Sequence, residues 1–411
     1  MKKTIIYFVG VYDTLDLFTQ ELKNAFEEMG YGSFVYDAVR EAESKAALIG
    51  RLDDAARAKK AGESEQETFA CVTFNNLGYN LSLSDGGNLW EVYDIPYINI
   101  LMDHPFHYEK PLRLAPKTAA VFCTDRRHVA YLRRYFKNIL RTDFLPHAGV
   151  GLGGRRKPLS DRSIDVLYAG ALPIYTVAKM IPDLSSIPEV DGQELAQAVL
   201  AELVRHPNRT TEEVIEEYVR DKCGELPDVR MQELIVQMRF LDSYATSFFR
   251  EQAVRILVES GIRVTAYGTG WDQCEWSGNP YLDYRGKVLA PDILPLMNDS
   301  KIVLNTMTWF KAGAHDRIFN GMLAGAVVVT DDSEYLRQEF SDGRELVMFS
   351  LNDMQELPKR VFEIFGDLNK AQELADRGFL AAKELHTWKS RAKYIREKNF
   401  YADINVSVES I

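Results

Sequence analysis

Paired cysteines are missing from this chain of 411 residues. Cys71, Cys123, Cys223 and Cys274 are its only four, widely scattered, and no two form a C-x-x-C pair. Neither a disulfide framework nor a cysteine-held metal is expected, and the thiols read as reduced, which points to the cytoplasm. Long apolar runs are also missing: no stretch approaches the length of a membrane span. The N-terminus, MKKTIIYFVGVYDTLD, has the two lysines and short apolar run of a signal peptide. TIIYFVGV, however, is short and β-branched, and Asp13 and Asp16 follow with no small-residue cleavage site, so it reads as a first buried strand. Positive charge is in deficit, with a net charge of −11, which argues against non-specific binding to nucleic acid or an anionic membrane. No nucleic-acid partner is expected, although a local basic patch can hide within such a total. Two motifs are absent as well. No G-x-G-x-x-G follows the first strand, so the N-terminal part does not read as a dinucleotide site. No D-x-D stands in a metal-binding context, so no metal ligands and no cofactor are expected.

What is present is the composition of a soluble globular protein, 46% hydrophobic and 27% charged. The length favours two domains. The first third alternates strand and helix. TIIYFVGV is followed by a helical pattern through Leu15, Leu17, Phe18, Leu22, Phe26 and Met29, then the strand GSFVYD, a polar helix over Glu41 to Lys60, and the strand FACVTFN. YINILMD and AAVFCTD are further apolar runs that end on aspartate. Strands without alternation, separated by helices, indicate a parallel sheet covered on both faces. The glycine-rich, charged segment Gly149 to Ser163 reads as a linker, after which DVLYAG opens a second series. Helical sequence from Glu194 to Ser260 delays the next strand, IRVTAYG, and its first part, Glu194 to Cys223, reads as an insertion. The expected fold is α/β, with two Rossmann-like domains. The boundaries read as 1–150, 151–385 with a helical insertion at about 190–245, and a closing helix at 386–411.

One segment, HDRIFNGMLAGAVVVTDD (His315 to Asp332), concentrates polar groups, a glycine and a buried strand within a short span. In a parallel sheet ligands collect beyond the carboxyl ends of strands, where helix N-termini present free N–H groups and favour anions. Asp316 is the expected cap of a helix here. Arg317 offers a fork suited to phosphate oxygens, and Asn320 can bond hydroxyls. The cluster reads as a cradle for a diphosphate and a sugar; it reads equally as the ordinary helix, glycine and strand of any α/β unit, with His315 a capping or surface residue.

The same run resembles the signature of bacterial glycosyltransferases of GT-B architecture, in the group with CgeB-like spore-maturation proteins and family 1 and family 4 enzymes. Arg317, Phe319, Gly325, Ala326 and Asp331 fall on a pattern of the form R-x-F-E-A-x-A-x-G-A that lines a sugar-nucleotide pocket in those families. The chain departs from it where Asn320 and Ala312 stand in place of a pair of glutamates. DVLYAGAL and AYGTGW resemble the glycine turns of the donor domain, which implies donor-binding roles for Gly170, Gly268 and Gly270, with Trp271 at the pocket rim. In YRGKVLAPDILPLMNDSKIVLNT, the backbone around Val288 is implied to face the nucleobase, and Asn305, His315, Arg317 and Asn320 complete the implied donor set. The final HTWKSRAKYI resembles a helix that crosses back to the first domain. The resemblance implies two domains facing each other across a cleft and transfer of a sugar from a nucleotide sugar, of the UDP class, to a polysaccharide, glycolipid or protein.

An acceptor base is expected in the first domain. ILMDHPFHY offers Asp103 and His104 at a strand end, with His107 just beyond; Asp13 and His147 are further candidates. Equally, His104-Pro105 can simply end a strand and Asp103 cap a turn. Trp90, Tyr93, Tyr97 and Phe106 read as core or as a sugar-stacking wall. The basic runs Arg155 to Lys157 and Arg133 to Lys137 read as solvated faces, with an acidic or membrane partner as the alternative. A sugar-nucleotide epimerase, a periplasmic type of sugar-binding protein and a non-catalytic relative remain the other functional readings, and a homodimer is left open.

Overall fold

The computed structural model describes residues 2–62, 66–154, 156–173 and 181–398. Arg155, and the end of the closing segment beyond 398, lie outside the described residues. The chain divides into two units, Met1–Pro146 with Thr387–Ile411, and His147–His386.

Unit 1 is built on six parallel strands: β1 (Lys2–Val9), β2 (Gly32–Asp37), β3 (Glu67–Phe74), β4 (Tyr97–Leu101), β5 (Ala119–Cys123) and β6 (Arg141–Phe144), in the order β2-β1-β3-β4-β5-β6. Every residue of β4 and β5 is buried, as expected of strands covered on both faces. The helix Asp13–Glu28 buries Leu15, Phe18, Leu22 and Phe26 at helical spacing. The helix Trp388–Glu397 sets Trp388 against Phe18 and Phe74, with ring centroids 4.9 and 5.3 Å apart. Burying side chains of this size stabilises the unit by about 1.5–3 kcal/mol each. The order of unit 1 reverses between β1 and β3, so its switch point lies beyond those two strand ends.

Unit 2 is also six-stranded and parallel: β7 (Ile164–Ala169), β8 (Val264–Tyr267), β9 (Leu282–Tyr284), β10 (Ser300–Asn305), β11 (Val327–Asp331) and β12 (Val347–Phe349), in the order β12-β11-β10-β7-β8-β9. Read from β9 this is the Rossmann order, and the switch point falls between β7 and β10. Between β7 and β8 stand the helices Gly192–Arg205, Thr211–Cys223, Asp228–Met238 and Phe240–Glu259. Lys311 Nζ, from the loop after β10, donates to Pro207 O at 2.6 Å and fastens the turn between the first two of these helices. The segment read as a linker is bound to unit 2: buried Arg162 donates to Lys157, Met297, Ser300 and Ala324 carbonyls. Among the described residues no helix is long and apolar enough to cross a membrane.

Candidate active site

The switch point of unit 2 collects most of the polar residues singled out in the sequence. β7 ends at Ala169, just before Gly170, and β10 at Asn305, and the two ends are tied by Tyr168 Oη and Thr306 Oγ1, 2.9 Å apart. Arg317, in the first turn of the helix Asp316–Leu323, donates from Nη1 to Asn305 Oδ1 at 2.5 Å and lies 5.6 Å from the Tyr168 ring centroid. Asn305 in turn donates to Thr330 Oγ1 at 2.9 Å. A Cβ placed on Gly170 would stand 3.2 Å from Arg317 Nη2, so this glycine lets backbone and guanidinium approach closely.

The turn after β8 fits beneath Gly170. Gly268 has φ +119°, and a Cβ there would come within 2.5 Å of the Gly170 carbonyl; Gly270, at φ +98°, would drive one into Leu172 O. Trp271 is not at a rim: it is fully buried, its Nε1 donates to Gly170 O at 2.8 Å, and it stands edge-on to Tyr168. An indole at the foot of this turn is held by core packing, so its part is to support Gly170. Val288 lies half-buried in the loop between β9 and the helix Ala290–Asn298.

The helix cap differs from expectation. His315, not Asp316, is the N-cap. His315 Nδ1 lies 3.1 Å from the Arg317 backbone nitrogen and 2.8 Å from Asp316 Oδ1. These contacts use one ring nitrogen in opposite senses, so each tautomer of the neutral ring satisfies one of them. Burial lowers the imidazole to about 4, so the ring is neutral at physiological pH. Burial also pushes Asp316 up, but His315 and Arg317 more than reverse this and keep the carboxylate ionised.

Asn320 is engaged by the protein itself. Its Oδ1 accepts from Val150 N at 2.8 Å and its Nδ2 donates to Asp316 Oδ2 at 2.9 Å. Each end of the side chain for which the resemblance implied a hydroxyl contact thus carries one bond within unit 2. An amide is needed because one end must accept and the other must donate to a carboxylate. We predict that Asn320→Glu, which sets a second buried carboxylate beside Asp316, destabilises unit 2 by about 2–4 kcal/mol at neutral pH, read by urea unfolding. Stability equal to wild type would contradict this assignment.

At the end of β11, Asp331 Oδ1 accepts from Met307 N at 2.9 Å. Burial raises this carboxyl to about 7, an effect the Met307 amide partly offsets. The unfolded group titrates near 4, so between about pH 4 and 7 the folded chain holds the extra proton. The contribution is complete below about pH 4 and is lost as pH rises through 7, up to about 4 kcal/mol. His315 gives a slope of opposite sign, common to wild type and Asp331→Asn, that cancels in the difference. Relative to Asp331→Asn, the wild type should thus lose unfolding free energy as pH rises across this window; parallel curves would refute the shift.

A second arginine was not singled out in the sequence. Arg250, on the helix Phe240–Glu259, donates from Nη1 to Ala171 O, and its guanidinium lies 5.5 Å from the Trp309 ring centroid. Its charge is felt by Arg317, which burial has already lowered. Arg250 Nε, Ser247 Oγ one turn earlier and Thr308 Oγ1 beside Trp309 are buried and have no hydrogen-bond partner among the described residues. The available signal was an arginine set among Phe249, Ala253, Val254 and Leu257, which pack inward. His147 lies in the same unit, its ring stacked 5.9 Å from His315. Among the described residues no group of three or more His, Cys, Asp and Glu is placed to hold a metal ion.

Residues 246–397 match a family model described as glycosyl transferase-like. The fold is similar to that of an alpha-glucosyltransferase in complex with UDP-glucose and DNA containing an abasic site, at TM-score 0.52 and 11% identity, covering 97% of this chain and 99% of that one. It is likewise similar to a glycosyltransferase from Rickettsia africae ESF-5, at TM-score 0.50 and 10% identity, covering 98% and 99%. The chain has the GT-B fold, and its residues 246–397 carry a glycosyl transferase-like domain. Among curated proteins none matches this chain.

In unit 1, Asp103 is exposed just after β4, and its Oδ2 accepts from Tyr108 Oη at 2.6 Å and lies 3.5 Å from Asn75 Nδ2. His104 is buried, stacks on Phe106 and caps the turn Pro105–Tyr108 by accepting from Phe106 N. Burial holds its imidazole well below the usual range. A buried neutral cap is poorly placed to take a proton from an acceptor, so Asp103 is the better candidate of the two. Asp13 is exposed in the first turn of the helix Asp13–Glu28. Asn75 and Asn76, beyond β3, both adopt left-handed backbone at φ 46° and 65°. This conformation is uncommon outside glycine, and it turns Asn75 Oδ1 onto Met102 N at 2.8 Å. Trp90, Tyr97 and Phe106 are buried core, and Tyr93 is partly buried against it.

Proposed function

We propose that this chain is a glycosyltransferase that moves a hexosyl group from a uridine diphosphate sugar to a hydroxyl of a polysaccharide, glycolipid or protein, in the cytoplasm. In this reading guanidinium groups, not a metal ion, meet the diphosphate charge. The observation that carries it is the approach of two buried arginines, Arg250 and Arg317, to the Gly170–Leu172 turn at the unit 2 switch point. Among the described residues neither guanidinium is ion-paired to a carboxylate, which suits a dianion, and Arg250 Nε and Thr308 Oγ1, unpartnered among the same residues, add donors for its oxygens. The alpha-glucosyltransferase of similar fold was solved with UDP-glucose, which supports the uridine donor class.

In the proposed reaction the acceptor oxygen attacks the anomeric carbon as the bond from that carbon to the phosphate oxygen breaks. Arg250 and Arg317 stabilise the negative charge that develops on the departing UDP. The acceptor proton passes to Asp103, whose carboxylate is oriented by Tyr108. Val288 and its neighbours are the proposed contact for the base. Incubation with a panel of sugar nucleotides, followed by UDP release, tests this. One UDP-sugar should be consumed by the wild type and not by Arg250→Ala. If the folded wild type neither binds nor consumes any member of the panel, the donor reading fails.

A further inference from the structure

The chain is acidic overall, yet one stretch of unit 1 is not. From Glu109 to Phe144 there are nine lysines and arginines and three carboxylates, in a chain of net charge −11. All three carboxylates are engaged. Glu109 pairs with Arg113, Asp125 caps the helix Arg126–Tyr135, and Asp143 is held by Lys398 at 2.9 Å and Tyr394 at 3.0 Å.

We propose that the last turn of the helix Arg126–Tyr135, the turn that follows it and the end of the helix Glu109–Arg113 form a docking face for anionic lipid membranes. Asn138 Nδ2 donates to Leu112 O at 2.8 Å, and Arg113 lies 6.0 Å from the Phe136 ring centroid, so the two segments share one surface. Arg133 and Arg134 are exposed on it, with Lys137, whose Nζ reaches Arg133 O at 3.0 Å. Two large apolar side chains stand among these cations: Leu140 is 85% exposed and Leu114 58%. Cations that attract anionic headgroups, interspersed with leucines that enter the acyl boundary, are the physical requirements of an interfacial anchor. The same leucines disfavour single-stranded nucleic acid as the occupant, since its binders interleave cations with aromatic rings that stack on bases. Leu114 and Leu140 precede β5 and β6, so the face lies at the amino end of the sheet. Asp103 follows β4 at the opposite end, and docking leaves it uncovered.

The full chain should be sedimented with phosphatidylcholine vesicles, with and without phosphatidylglycerol, at low and high salt. The wild type should sediment only with the phosphatidylglycerol vesicles, and less at high salt. Arg134→Glu with Lys137→Glu should weaken binding by at least about 25-fold, since each cation near such a surface contributes about fivefold. Leu114→Ser with Leu140→Ser should weaken it about tenfold. Thermal unfolding and UDP binding identical to wild type show that both variants are folded. The proposal is overturned if phosphatidylglycerol confers no binding or if the charge-reversed chain binds as the wild type does. It is also overturned if duplex DNA is bound more tightly than vesicles and the serine variant binds that DNA unchanged.

Discussion

With the diphosphate held where proposed, Arg317→Ala should lower consumption of the proposed UDP-sugar donor by about 10³-fold, because it removes a buried, pre-positioned donor from the point at which the leaving group would gather charge. The side chain is 7% exposed, so water cannot replace it as it would on a surface. Arg317→Lys keeps the charge but loses the fork that holds Asn305 while reaching toward Gly170, and an intermediate loss of roughly 10–100-fold is expected. Alanine also strands the Asn305 carbonyl oxygen, at a cost of about 1–3 kcal/mol, so unfolding must be measured alongside turnover. A folded alanine variant with wild-type turnover would remove Arg317 from the site.

The second large effect is expected in unit 1. Asp103→Asn should lower kcat by about 10²–10⁴-fold, the usual contribution of a positioned general base, with donor affinity unchanged. Asparagine can keep the contact with Tyr108 Oη, so the geometry persists while the proton acceptor is lost. Tyr108→Phe should fall between the two, since it frees the carboxylate to rotate without removing it. A kcat unaffected by Asp103→Asn would transfer the role elsewhere, with Asp13 next to be tested.

The fold was legible because parallel strands buried on both faces leave an unmistakable apolar run. TIIYFVGV, AAVFC and VVVTD became β1, β5 and β11 with little error, and Glu41–Lys60 became a helix over the residues expected. Side chains were harder, because their partners are distant in sequence. Nothing local distinguishes Asn320 as a ligand from Asn320 as a clamp; the deciding partner, Val150, is 170 residues away. Asp316 looked like a cap because aspartate usually is one, yet His315 took the position and Asp316 was drawn to Asn320 instead. Trp271 sat in a motif associated with a rim, but Gly268 and Gly270 just before it pack the turn onto Gly170 and Leu172, and the indole is buried. Arg250 belonged to no motif at all, since a helix carries its arginine into the site only once the sheet has formed.

The most direct test is calorimetric titration of UDP, and of uridine, into the wild type and into Arg250→Ala. The account predicts that UDP binds, that uridine binds much more weakly, and that Arg250→Ala loses most of the difference between the two. Equal binding of UDP by wild type and variant, or no preference for UDP over uridine, would contradict a diphosphate site at the unit 2 switch point.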